Sequence, residues 1–296
     1  MPLPVHPNST KQLSNGTAEV KAIIAIAAGK GGVGKSTVTA NLALALAEQG
    51  LSVGIMDTDL YGPSIRQMLP ETRLPEWDQG AIRPALSFGI KLISIAYFQR
   101  EGEMTAVRAP MANGIITQFV HQVQWGRLDY LLVDFPPGTG DIPMTLCQRL
   151  AFDGALMVTT PQEVALIDLR KAIALFDALQ VPILGIVENM SYYLEANSSP
   201  LQPLYLFGKG GGERLASQAG VPLLAEIPID PEISFRADRG FSLFAEEEGK
   251  LPSSAICFRH LAEQLMDHYT LLSTHQEKPL TLDRPWREMS ATQRPL

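Results

Sequence analysis

The chain is expected to fold as an α/β domain, a doubly wound and mostly parallel sheet with helices on both faces. Three observations lead there. Apolar, β-branched runs alternate with segments of helical period, the pattern of parallel strands joined by crossover helices. A glycine-rich turn, Gly29-Lys30-Gly31-Gly32-Val33-Gly34-Lys35-Ser36-Thr37, joins the first apolar run to the first helical one. No run of about 18 apolar residues offers a membrane architecture instead.

Taken in order, the strand candidates are 23–28, 52–56, 91–96, 130–134, 155–159, 183–187 and 222–226. Each is short and rich in Ile, Val, Leu or Ala, as a strand buried on both faces requires. The helical candidates between and after them are 38–49, 114–124, 143–151, 164–179, 211–218 and 254–272. Their apolar residues recur every three to four positions. The segments 70–87 and 195–203 read as irregular loops, because Pro, Gly, Asn and Ser interrupt any period. Residues 1–20 are Pro-, Ser-, Thr- and Asn-rich and are expected to be a mobile tail. Residues 21–272 are expected to form one domain and 273–296 a polar C-terminal tail.

Composition narrows the function classes. With 296 residues and 46% hydrophobic content the chain can bury one large core. The net charge is −7 and no block of five like charges occurs, so nucleic acid is not an expected partner. The polar face of the last helix carries Arg259, His260, Glu263, Asp267 and His268, which is not the basic face of a membrane-surface anchor. The N-terminus lacks a basic segment followed by an apolar one, so it does not read as a secretory signal. The two cysteines, Cys147 and Cys257, imply no disulfide framework, and a cytoplasmic location is the expectation.

The glycine turn carries the chemistry. Strand, glycine loop and helix is the context of a phosphate-binding loop. Backbone N–H groups of Gly29 to Gly34 can curl around phosphate oxygens, and the start of the following helix adds its positive end. Lys35 would reach the β- and γ-phosphates of ATP, and the Ser36 hydroxyl would hold Mg²⁺ with Thr37 beside it. Gly29, Gly31 and Gly34 also fit a dinucleotide fingerprint, with Asp57 as the ribose-binding acid. The lysine and hydroxyl pair decides against that reading, since only a triphosphate with Mg²⁺ needs both.

Two acidic strand ends complete the set. Asp57 and Asp59 follow the second strand, where one carboxylate can approach Mg²⁺ and the other the attacking water. Asp134 ends Leu131-Leu132-Val133-Asp134 and fits the acid that holds the Mg²⁺ shell. Gly138 and Gly140, in the loop that follows, permit close approach to the γ-phosphate. Asn189 ends a further strand, where its amide can meet an adenine edge.

From Ile23 to about Ser242 the chain resembles the Mrp/ApbC family of phosphate-loop ATPases, related in fold to the MinD, ParA and nitrogenase iron-protein group. The residues that carry the resemblance are GKGGVGKST, DTDLYGPS, WGRLDYLLVDFPPGTGD, VTTPQEVAL, PILGIVENMSY, FGKGGGERLA and EIPIDPEI. The resemblance implies a slowly hydrolysing ATPase that dimerises around nucleotide and carries iron–sulfur clusters to apo-proteins. It implies that Lys30 crosses to the partner subunit's phosphates, that Asp59 lies in the first switch, and that Asn189, Pro228 and Asp230 surround the base. Cluster-carrying members have a C-x-x-C pair between the Asn-Met-Ser and Phe-Gly-x-Gly-Gly-Gly segments. Here that interval, 192–206, contains no cysteine, so iron–sulfur ligands are not assigned. Cys147 lies on an apolar-periodic helix expected to face the core, and Cys257 lies three residues before His260. Two other readings stand beside the carrier: a nucleotide-gated switch that recruits a protein partner without a cluster, and a small-molecule kinase.

Overall fold

The structure, a computed structural model, describes residues 16–59, 62, 64–98, 109–195, 202–246 and 249–275. Its frame is an eight-stranded sheet. Strand β1 (Val20–Ala28) is followed by helix α1 (Lys35–Glu48), β2 (Val53–Asp57) and the single turn α2 (Ile65–Met68). The hairpin β3 (Glu76–Asp78) and β4 (Ala81–Arg83) leads to β5 (Ala85–Ser87) and β6 (Ile90–Ser94). Then come α3 (Ala109–Gln122), β7 (Leu128–Asp134), α4 (Asp141–Arg149), β8 (Gly154–Thr159), α5 (Glu163–Ala178) and β9 (Ile183–Glu188). The short pair β10 (Tyr193–Leu194) and β11 (Pro203–Leu204) precedes α6 (Gly211–Ala219), β12 (Leu223–Glu226), α7 (Pro231–Arg239) and α8 (Ser253–His275).

The strand order is β12-β9-β8-β1-β7-β2-β6-β5, parallel throughout except for β5, which runs antiparallel to β6. The central strands are apolar along nearly their whole length because helices cover both faces of the sheet. Ala22 to Ala28 of β1 and all of β8 and β9 are buried. Helices α1 and α8 pack together, as do α5 and α6. The chain moves from β1 outward to β2, returns to β7, and then crosses to β8 on the other side of β1. That reversal opens a crevice at the carboxyl end of β1, where ligands of open α/β sheets bind.

Three local expectations change. The stretch from Pro70 to Ser87 is not irregular, since β3 and β4 pair as a hairpin and β5 adds to the sheet edge. Three-residue strands are too short to display alternation. The packed chain starts ahead of residue 21, with Thr17 buried and β1 beginning at Val20. The last helix continues past Leu272 to His275. Residues 1–15, 196–201 and 276–296, which held much of the two expected tails and the 195–203 loop, lie outside the described residues, as do Leu60, Tyr61 and Pro63.

Candidate functional site

Parallel pairing builds the site. Register places Ile26 of β1 opposite Asp134 of β7, and Asp134 opposite Asp57 of β2. The two strand-end carboxylates therefore lie side by side beneath the loop that leaves β1. That loop is shaped by contacts only glycine permits. At Gly34 φ is +82°, and a Cβ there would sit 2.2 Å from Asn189 Nδ2. A Cβ at Gly29 would meet the α5 backbone at Asp168, also at 2.2 Å. Helix α1 starts directly after Gly34, with no side chain capping its first turn and no acidic residue in it. Its free N–H groups and positive end are left for an anion.

Asp134 is the hub. It is fully buried, and its Oδ2 accepts from Lys35 Nζ at 2.6 Å and from Ser36 Oγ at 2.7 Å. Its Oδ1 accepts from Thr39 Oγ1 at 2.6 Å. The Thr58 hydroxyl donates to its backbone carbonyl at 2.7 Å. Asp59 Oδ2 is the next carboxylate, 3.7 Å from Lys35 Nζ. Asp57 stands one step back: its Oδ2 accepts from Ser94 Oγ at 2.8 Å and its Oδ1 from the Asp59 N–H at 3.2 Å. Burial, and then the Asp134 charge beside it, push its carboxyl up to about 7. Asp59, not Asp57, is thus the acid of this pair that faces the lysine.

A cavity of about 390 Å³ opens beside the loop, lined by Gly34, Thr37, Asn189, Pro228 and Asp230 among others. All five are among the residues expected, by motif or by resemblance, to contact the nucleotide, and they come together here. Asn189 Nδ2 donates to the Val33 carbonyl at 2.9 Å, so its amide N–H₂ serves the loop. Asp230 lines the cavity but caps α7: Oδ1 accepts from the Glu232 N–H at 2.9 Å and Oδ2 from Ser254 Oγ at 2.6 Å. Lys30 is half-exposed on the loop and makes no ion pair among the described residues. Thr39, Ser94 and the walls of the cavity from α2 and α7 escaped sequence reasoning. Thr39 carried a usable signal, since it lies one helical turn after Lys35.

The residues fit Mg²⁺. That ion keeps several waters and takes one or two protein oxygens beside phosphate oxygens, and Ser36 Oγ and Asp134 offer hard oxygen donors at the helix start. No preformed cage exists: among the described residues no group of three or more His, Cys, Asp or Glu side chains could hold a metal ion. The two thiols lie on different helices, and both are free. Cys147 of α4 is half-buried at the rim of the core, not within it, and burial pushes its thiol up to about 11. Cys257 of α8 is half-buried, raised chiefly by burial, and shares a hydrogen bond with Tyr192. His260 turns instead to Glu263, with both side chains exposed, at 3.8 Å.

A family model described as ParA, the NUBPL iron-transfer P-loop NTPases, matches residues 19–266. The chain belongs to this family. It is 45% identical over 239 residues to the iron-sulfur cluster carrier protein of Pseudomonas fragi, covering 80% of this chain and 83% of that one. It is 47% identical over 221 residues to the protein of the same name from Escherichia coli K12, covering 74% of this chain and 59% of that longer one. A nucleotide-binding protein from Archaeoglobus fulgidus, solved in complex with ADP, superposes with a TM-score of 0.68 at 38% identity, covering 79% of this chain and 92% of that chain. The cell division ATPase MinD of Pyrococcus furiosus shares the fold, with a TM-score of 0.59 at 24% identity over 83% of this chain and 99% of that chain. The protein is therefore a nucleotide-binding P-loop NTPase of the iron-transfer group. Among the described residues no helix is long and apolar enough to cross a membrane.

Proposed function

We propose that this family member is a Mg²⁺-dependent ATPase that works as a homodimer closed by ATP in the cytoplasm, assisting iron–sulfur protein assembly without holding a cluster on a C-x-x-C pair. The observation that carries the reading is the joining of Lys35, Ser36 and Asp134 at the open start of α1, directly beside the cavity. The N–H groups of residues 29–37 bind the phosphates. Lys35, on leaving Asp134, neutralises charge on the β- and γ-oxygens. When bound, Mg²⁺ withdraws charge from the same oxygens, and Ser36 and Asp134 are the residues that would hold it. Asp59 orients the attacking water, while Asp57 holds the turn that presents Asp59 through its bond to the Asp59 N–H. The base occupies the cavity against Asn189 and Pro228.

Two features support a dimer. Among the described residues Lys30 has no ion-pair partner, and a second subunit's phosphates would provide one. Met144 of α4 and Val164 and Ile167 of α5 are exposed apolar side chains on the helices that follow the carboxyl ends of β7 and β8. Sedimentation with Mg²⁺ and ATP, ADP or no nucleotide tests the reading. A dimer with ATP only is expected; a monomer under all three conditions overturns it. The second reading, a switch that recruits a protein partner and carries nothing, is favoured by the cysteine-free interval 192–206. Apo iron–sulfur proteins or assembly factors are the partners expected for the first reading. ATP-dependent retention of a partner by protein free of iron and sulfide would favour the second.

A further inference from the structure

The third wall of the cavity comes from the segment that follows the Asp57–Asp59 turn: Ser64, Gln67 and Met68 line it opposite Ser234 and Asp238 of α7. Only four residues separate Asp59 from Ser64. Helix α2 is a single turn, and a turn that short has no stability of its own. Side-chain contacts on two sides hold it. Toward α7, Gln67 Nε2 donates to the Asp238 carbonyl at 2.9 Å. Close by, Pro70 packs on Gly240, where an added Cβ would lie 2.6 Å from Pro70 Cγ. Toward β6, the Arg66 guanidinium lies 4.3 Å from the centre of the Tyr97 ring and donates to Glu71 Oε1 at 2.5 Å. Tyr97 is buried, and its hydroxyl donates to the same oxygen at 2.6 Å.

We infer that this double clamp on α2 makes Gln67 and Tyr97 positioning residues for ATP hydrolysis. They hold the turn that both walls the nucleoside and sets where the Asp59 carboxylate stands. The inference rests on the ATPase reading above. Nucleoside binding needs only that the wall be present, because the loop, Asn189 and α7 supply the remaining contacts. Hydrolysis needs the Asp59 carboxylate at a defined place, and a small shift of a reacting group lowers rate steeply. Loosening the clamp therefore lowers kcat more than it weakens ADP.

The test uses the full chain with Gln67→Glu, which keeps the shape and removes the donor, and Tyr97→Phe, which keeps the ring beneath Arg66 and removes the hydroxyl. Gln67 is exposed and Tyr97→Phe is conservative, so both variants should fold, and circular dichroism verifies it. Losing one hydrogen bond of the clamp is expected to lower kcat about 3- to 10-fold, with ADP affinity changed by less than about 2-fold. Gln67→Lys, which restores a donor of sufficient reach, should recover most of the rate. Unchanged kcat in both variants overturns the inference, and so does a loss of ADP affinity with kcat intact, which would leave α2 as a wall alone. A parent protein that does not hydrolyse ATP at all would instead strike down the underlying ATPase reading.

Discussion

Replacing Asp134 by Ala removes the acceptor shared by Lys35, Ser36 and Thr39. Asp134 is fully buried and Lys35 is 6% exposed, so the deletion strands an ammonium in a poorly solvated place. Removing one partner of a buried pair costs about 3–5 kcal/mol. The low end applies here. Asp59 Oδ2 lies 3.7 Å from Lys35 Nζ and takes up part of the charge, and Thr39 keeps its bond to the Lys35 carbonyl. A loss of about 3 kcal/mol, at roughly 2–4 °C per kcal/mol for a domain of this size, lowers Tm by about 6–12 °C. pH sets a second, signed expectation. The folded Asp57 carboxyl is raised from 3.8 to about 7, first by burial and then by the Asp134 charge. A carboxylate raised in the folded state binds protons more tightly there than in the unfolded chain, so stability falls as pH climbs through that window. Asp134→Ala removes part of the cause, so the parent's advantage over the variant shrinks from pH 6 to pH 8. Thermal melts of nucleotide-free protein at both pH values measure this. A Tm within about 2 °C of the parent at pH 6, or a deficit that grows at pH 8, refutes the hub reading of Asp134.

Lys35→Ala should abolish tight ATP binding, because Lys35 is the cation that the loop sets against Asp134 at the start of α1; calorimetry showing unchanged affinity would remove the phosphate-loop assignment. Lys30→Ala should keep nucleotide binding by the monomer and lose ATP-dependent dimerisation, which sedimentation reads directly. Asp59→Asn should hold ATP with near-parental affinity and hydrolyse it at least about 10-fold more slowly, since an amide fills the space without orienting water as a carboxylate does. Full turnover in that variant would move the role to Asp57 or Asp141. Anaerobic reconstitution with iron and sulfide should yield no stoichiometric, cysteine-dependent visible absorbance, because cluster ligation needs thiolates. Near-stoichiometric iron and sulfide, lost on Cys257→Ser, would place a cluster on α8.

Much of this protein was legible in one dimension because its signals are local. The GKGGVGKST turn, the apolar run before it and the acid ending Leu131 to Asp134 each depend on a few adjacent residues. Among the described residues, the seven longer strands and six of the eight α-helices follow from period and punctuation. Helix α7 was missed although its marks were present: Asp230 caps it, Pro231 opens it, and Gly240 closes it at φ +66°. Its mostly polar composition hid the helical period. The β3–β4 hairpin and α2 are not legible, since three or four residues hold no periodicity and their places are set by residues distant in sequence: Val123 and Gln124 beside Ile82 of β4, and Tyr97 and Asp238 beside α2.

Sequence alone determined that a phosphate loop exists, which strand precedes it, and that the thiols a cluster needs are missing from 192–206. Only the folded sheet decided which acid does what. Asp57, Asp59 and Asp134 are equivalent as letters, and their chemistry separates through register: β7 lies between β1 and β2, so Asp134 falls under Lys35 while Asp57 is drawn to Ser94 and pressed against Asp134. Likewise the cavity assembles Thr37, Gln67, Asn189 and Asp238 from four separate segments of the chain. Local patterns follow from backbone sterics and side-chain period. The meeting of distant residues follows from strand order and packing, which the whole chain settles at once.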